Sequence, residues 1–137
     1  MPRAIVDTDI LSDVLRAKNE TVMRRALAYL QEHGRLSISA ISVFEVVRGR
    51  HQANQIDRAM QFLAWTATAE VVPFDAECAR RGGEIAGALL RSGTPLGVAD
   101  VLIAATAIVH RATLVTANMT HYQRLVAFGL TIENWRD

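Results

Sequence analysis

Arg3-Ala4-Ile5-Val6 runs into Asp7-Thr8-Asp9 and then Ile10-Leu11-Ser12-Asp13-Val14-Leu15, and this opening stretch decides the fold. Its first four residues form a short apolar run with β-branched Ile5 and Val6, the pattern of a strand. Asp7, Thr8 and Asp9 suit the start of a helix, where a side-chain oxygen accepts an orphan backbone N–H, and Ile10, Leu11, Val14 and Leu15 then recur at helical spacing. A strand that passes directly into a helix predicts an α/β chain. Working outward, residues 21–31 are amphipathic and stop at Gly34, residues 36–38 alternate as a short strand, and Ser39 or Ser42 can cap a helix reaching about Gly49. Another helix is expected over 56–65.

The second half keeps the same alternation. Residues 70–74 form a third strand closed by Pro73, Asp75 caps a small-residue helix over 76–90, and 93–97 is a loop. Residues 98–110 are apolar at almost every position, which predicts a helix buried all round. Thr113–Val115 is a fourth strand, a brief helix covers 121–128, and 130–132 is a fifth strand. Strands alternating with helices imply a mostly parallel sheet flanked by helices.

At 137 residues the chain is expected to fold as one unit over 1–137, exposing about 7,000 Å². Its 50% apolar and 21% charged residues exclude disorder and collagen-like sequence. Cys78 is the only cysteine, which excludes an internal disulfide, a thiolate zinc cage and a Cys-x-x-Cys pair, and points to a reducing cytoplasm. The net charge of +1 excludes nucleic-acid binding by bulk charge, so a polyanion must be held locally. The start lacks a signal-peptide pattern, and the apolar run 101–109 is shorter than the roughly 20 residues a membrane span needs; neither export nor a membrane is expected.

Three carboxylates stand out. Asp7 leaves the first strand at its C-terminal end, where open parallel sheets place their ligands, although a helix cap accounts equally for Asp7 or Asp9. Asp100 is the only charged residue between Arg91 and Arg111; a lone buried carboxylate costs several kcal/mol unless compensated, and the helix N-terminus supplies only about 0.3–2 kcal/mol. Glu45 shares a narrow helical stripe with Ser42 and Gly49, against the simpler reading of a solvated Glu45–Arg48 pair. Three carboxylates with no histidine or cysteine cluster match the all-oxygen shell of Mg²⁺ or Mn²⁺. His33, His51, His110 and His121 show no ligand spacing, and neither a Gly-x-Ser-x-Gly elbow nor a P-loop is present.

These residues, over 4–135, resemble the PIN-domain family, and in particular VapC-like toxins. The resemblance lies in Ile5-Val6-Asp7-Thr8, in Ser42 with Glu45 and Arg48-Gly49, in Asp100 followed by Ile103-Ala104-Ala105-Thr106-Ala107, and in Leu114-Val115-Thr116 with Asn118. It implies a five-stranded parallel sheet in the order 3-2-1-4-5 and a Mg²⁺-dependent endoribonuclease, with Mn²⁺ as an alternative ion. It further implies homodimerisation and inhibition by a small antitoxin through which operator DNA is reached. Asp7, Glu45 and Asp100 match the family's metal site, with Thr116 and Asn118 as polar neighbours. Asp9 stands where the family usually has asparagine, and His121 where it usually has an acid; Asp9 is expected to supply the charge that His121 does not.

Hydrolysis by activated water implies 5′-phosphate and 3′-hydroxyl ends, with Arg48, Arg50 and Arg111 as candidate RNA contacts. Two other classes compete. Asp7-Thr8-Asp9 also resembles the opening of a haloacid-dehalogenase-type phosphatase, but that chemistry needs a downstream lysine and the only lysine is Lys18. The second is a catalytically weakened PIN-fold module that acts with an antitoxin on operator DNA.

Overall fold

In the computed structural model, which describes residues 1–137, strands and helices alternate from end to end. β1 (Ala4–Val6) leads into α1 (Thr8–Arg16) and α2 (Glu20–His33), and β2 (Ser37–Ser39) into α3 (Ala40–Gln52) and α4 (Ile56–Thr66). β3 (Glu70–Val72) leads into α5 (Ala76–Arg91) and α6 (Val98–Val109). β4 (Thr113–Val115) leads into the short α7 (Met119–Tyr122), a 3₁₀ segment (Gln123–Phe128) and β5 (Ile132–Glu133). Local chemistry sets the boundaries: the side chains of Asp7, Asn19, Ser39 and Asp75 accept backbone N–H bonds at the starts of α1, α2, α3 and α5, and Gly34 ends α2 at a left-handed φ of 85°. Of the two serines that could cap α3, Ser39 does so. Ser42 points inward and is fully buried.

All strand pairs are parallel, but they form two ladders, β1-β4-β5 and β2-β3, rather than the single five-stranded sheet expected in the order 3-2-1-4-5. β1 and β2 lie side by side without pairing. The reason is visible on β1. Arg3 O and Asp7 N face β4, bonding Thr113 N at 2.9 Å and Val115 O at 2.8 Å. Ala4 faces the opposite way, and both of its backbone groups are taken by one side chain: its N–H donates to the Tyr29 hydroxyl at 3.0 Å, and that hydroxyl donates to Ala4 O at 3.3 Å. A phenol from α2 thus satisfies the edge that a neighbouring strand would otherwise occupy.

Both faces of the β1-β4 pair are covered, so its strands read as continuous apolar runs. Ile5 and Leu114 enter a core with Ile85, Leu89, Ile103, Tyr122 and Leu125, while Val6 and Val115 enter a second with Ile10, Leu11, Tyr29, Ile38 and Trp135. α5 packs closely on α6: a Cβ at Gly82 would sit 3.4 Å from Ala105 Cβ and 3.8 Å from a Leu102 methyl. α6 is not buried all round. Residues 101 and 103–107 are enclosed, but Val98 is 75% exposed, so the first turn, which carries Asp100, opens to solvent. The accessible surface of 7386 Å² agrees with the size expectation.

Because Tyr29 satisfies two buried backbone groups, Tyr29→Phe should keep the fold, by circular dichroism, and lose about 1–3 kcal/mol in urea unfolding. An unchanged unfolding midpoint would mean that water replaces the hydroxyl at no cost.

Candidate metal centre

Asp7 ends β1 and begins α1, so the strand-to-helix passage that defines the fold also delivers its most enclosed carboxylate, 6% exposed. Oδ1 accepts from Thr8 N at 2.9 Å and Oδ2 from the Thr116 hydroxyl at 2.9 Å. Those bonds favour the anion, but they do not offset desolvation by burial, reinforced by the negative charge of Asp9 and then of Asp100, and the Asp7 carboxyl is pushed up from 3.8 to about 7. Asp9 caps locally, accepting from Ile10 N at 2.7 Å, and crosses to the end of β4, accepting from Ala117 N at 3.0 Å. Thr116, fully buried, sits between the two aspartates, with its hydroxyl 3.5 Å from Asp9 Oδ2 and accepting from Asn118 N at 3.0 Å.

Glu45 comes from α3. The Thr8 hydroxyl donates to Glu45 Oε1 at 2.8 Å and lies 3.0 Å from Ser42 Oγ, which ties the α3 stripe to the start of α1. Glu45 makes no ion pair with Arg48, whose guanidinium instead lies 5.1 Å above the Phe44 ring. Asp100 departs from the expectation of a buried carboxylate: its side chain is 32% exposed. It is held at Oδ1 by the fully buried Tyr122 hydroxyl at 3.1 Å, and His121 Nε2 stands 3.0 Å from Oδ2 without hydrogen-bond geometry. Burial and the surrounding carboxylates hold the Tyr122 phenol firmly protonated, so it acts as a donor. Sequence reasoning missed Tyr122. The only sign was a tyrosine beside the unusual His121, and its contact with Asp100 spans 22 residues.

The structure therefore brings Asp7, Asp9, Asp100 and Thr116 together at the C-terminal ends of β1 and β4, with Ser42 and Glu45 joined through Thr8. Asn118 stands exposed at the start of α7. Arg50 and Arg16 line a cleft of about 200 Å³ with Thr8, Ser12, Glu45 and Gly49, and Arg50 is steadied by Gln55 at 3.1 Å. Arg48 faces away onto Phe44. Arg111 is at the opposite end of the sheet, in the left-handed turn (φ 55°) that precedes β4, and is not brought to the site. The donor set of aspartate and glutamate oxygens with hydroxyls suits a hard divalent cation. No three of these carboxylates converge as closely as Asp75, Cys78 and His110 do elsewhere, as expected of like charges.

The raised Asp7 carboxyl makes stability depend on pH. The folded state holds a proton between 3.8 and about 7 that the unfolded chain has lost, so the associated stability is full below the lower value and is lost as pH rises through the upper one. Without divalent ions, Asp7→Asn should gain on wild type as pH rises from about 4 to about 8, reaching on the order of 1–4 kcal/mol in denaturant unfolding. Equal stability of the two proteins at the upper pH would rule out this account.

The PIN domain family model matches residues 4–125. The chain is 26% identical over 136 residues to the tRNA(fMet)-specific endonuclease VapC of Shigella flexneri, spanning 98% of this chain and 99% of that protein. To ribonuclease VapC1 of Methanocaldococcus jannaschii it is 31% identical over 132 residues, covering 95% and 86%. Among solved structures it resembles the DNA-bound VapBC of Salmonella typhimurium with a TM-score of 0.83, 27% identity, and coverage of 98% and 99%. The parallel strand ladders, the carboxylates at their C-terminal ends and these similarities place the chain in the PIN-domain family, among the VapC ribonucleases.

Proposed function

We propose that this chain is the toxin of a toxin–antitoxin pair, a metal-dependent endoribonuclease in which residues 1–137 act as one nuclease unit. The observation that carries the reading is Asp7: a carboxylate 6% exposed, beside Asp9 and Asp100, with its carboxyl raised to about 7. Such an anion is costly to keep without a cation. Its VapC relatives' names as ribonucleases support RNA as the substrate.

Asp7, Glu45 and Asp100, with Asp9 beside them, would hold Mg²⁺ or Mn²⁺. When bound, the ion offsets repulsion between carboxylates and phosphodiester, polarises a phosphate oxygen and activates water for in-line attack. The chain's own groups do the rest. Thr8 N–H and the Thr116 hydroxyl orient the two Asp7 oxygens, and the Tyr122 hydroxyl fixes Asp100. The Thr8 hydroxyl occupies Glu45 Oε1 and leaves Oε2 to accept from water and withdraw its proton. Arg50 and Arg16, in the cleft beside Glu45, are placed to neutralise neighbouring phosphates. Attack by water rather than by the ribose 2′-hydroxyl leaves 5′-phosphate and 3′-hydroxyl ends.

The assembly of the Salmonella typhimurium neighbour as a DNA-bound VapBC complex supports a small antitoxin as partner, with operator DNA reached through it. Two separate apolar surfaces, Phe44, Met60 and Leu63 on α3 and α4, and Leu90 with Val98 beside the α5/α6 groove, offer room for an antitoxin and a second copy. No helix is long and apolar enough to cross a membrane, and an RNA substrate and a reduced Cys78 fit the cytoplasm. The weakened binding module remains the second reading, because His121 crowds the Asp100 oxygen that a cation would use.

Incubating a total RNA pool with wild type and Asp7→Asn, each with Mg²⁺, Mn²⁺ or chelator, separates the two. Discrete metal-dependent fragments with 5′-phosphate ends, from wild type alone, are expected; cyclic 2′,3′-phosphates would exclude the mechanism, and intact RNA beside antitoxin-dependent operator binding would favour the second reading. Asp9→Asn should weaken metal affinity about 10- to 100-fold by calorimetry, and unchanged affinity would show that Asp9 does not compensate for His121.

A further inference from the structure

We infer a second metal site, of the zinc class, formed by Asp75, Cys78 and His110 where the start of α5 meets the end of α6. One ligand atom from each of the three residues lies within 4.8 Å of the others. The site is separate from the acidic cleft: Asp100 in the first turn of α6 and His110 just past its end are ten residues apart, about 15 Å along the helix axis.

The backbone builds the convergence. Asp75 caps α5 by accepting from Cys78 N at 3.0 Å through Oδ1, which fixes the carboxylate and the thiol on one turn. α5 and α6 lie antiparallel, with Gly82 against Ala105 and Leu102, so Cys78 arrives beside His110, which terminates α6. Arg111 then turns the chain sharply away at φ 55°. The imidazole has a nitrogen without a partner, and the thiol has only weak ones. His110 Nε2 is enclosed and makes no hydrogen bond, and the buried Cys78 thiol reaches Pro73 O only at 3.9 Å, with the Asp75 carboxylate and the Thr106 side chain also against it. Asp75 is exposed, which leaves an ion a path from solvent. The nearby Arg3 guanidinium, 3.5 Å from His110 O, has its charge countered by Glu70 at 2.9 Å.

One sulfur, one imidazole nitrogen and one carboxylate oxygen form a borderline-soft donor set that favours Zn²⁺ or Co²⁺ over Mg²⁺, with water as the fourth tetrahedral ligand. Tetrahedral bonds of about 2.0–2.3 Å put ligand atoms about 3.3–3.8 Å apart, so an ion needs to draw these side chains together by roughly 1 Å. Binding exchanges the thiol proton for the metal: the S–H bond breaks, the S–metal bond forms, and the proton goes to solvent. The spacing hides the site from motif reading, because two ligands are three residues apart and the third is 32 further along the chain.

Titration of the reduced full chain with Co²⁺ tests this, because a thiolate-to-cobalt charge-transfer band cannot arise from the acidic cleft, which has no sulfur. A band saturating at one equivalent and displaced by Zn²⁺ is expected. His110→Ala and Asp75→Asn should each weaken Co²⁺ binding at least tenfold, Cys78→Ser should abolish the band, and Asp7→Asn should keep it. Melting of each variant without metal checks that it is folded. No band in folded wild type, or a band of unchanged affinity in both His110→Ala and Asp75→Asn, would overturn the site.

Discussion

Desolvation of one carboxylate organises this molecule. Asp7 is placed by the strand-to-helix passage at the C-terminal end of β1, where the parallel sheet, α1 and Thr116 shut out water. Burial there penalises charge by more than two hydrogen bonds return, and Asp9 and Asp100 add to the penalty. The surrounding residues are arranged around that conflict: Thr116 bridges Asp7 and Asp9, Thr8 gathers Glu45 and Ser42, and Tyr122 secures Asp100. Keeping these carboxylates close costs apo stability. That cost is the one the proposed cation site would offset.

Much of this was legible in the chain because it depends on near neighbours. The Asp7, Asp75 and Gly34 boundaries follow from capping and left-handed backbone, which a side chain and its next few residues decide. The parallel pairing and the carboxylates at strand and helix ends follow from alternation and from the rarity of charge in apolar surroundings, whereas a strand order was implied only by the family resemblance. What stayed hidden depends on contacts between distant residues. Tyr29 meets Ala4 across 25 residues and divides the sheet. Tyr122 reaches Asp100 from a four-residue helix, too short to show periodicity. Asp100 is more exposed than its apolar flanks imply, because the first turn of α6 stands clear of the core while the middle enters it. Arg111 follows an apolar helix in sequence, yet the turn before β4 carries it to the far end of the sheet.

The two cores share the β1-β4 pair, and residues of alternating parity on these strands divide between them: Ile5 and Leu114 to one side, Val6 and Val115 to the other. A one-residue slip would exchange these sets and also turn Asp7 away from Thr116, so the register that satisfies packing is the same one that assembles the carboxylates. Close α5–α6 packing at Gly82 contributes from a distance, because it helps set where α6 begins and therefore where Asp100 stands.

The unpaired boundary between β1 and β2 has a mechanical meaning. Asp7, Asp9, Asp100 and Thr116 belong to the β1-β4 half, whereas Ser42 and Glu45 ride on the β2-β3 half, so the carboxylate set spans a seam that no backbone ladder closes. Packing in the second core, where Val6 and Val115 meet Ile38, and the Thr8 hydroxyl hold that seam closed. The position of Glu45 relative to Asp7 is thus set by side chains rather than by a backbone ladder. Repacking the core that both halves share therefore reaches the carboxylate set without altering any of its members.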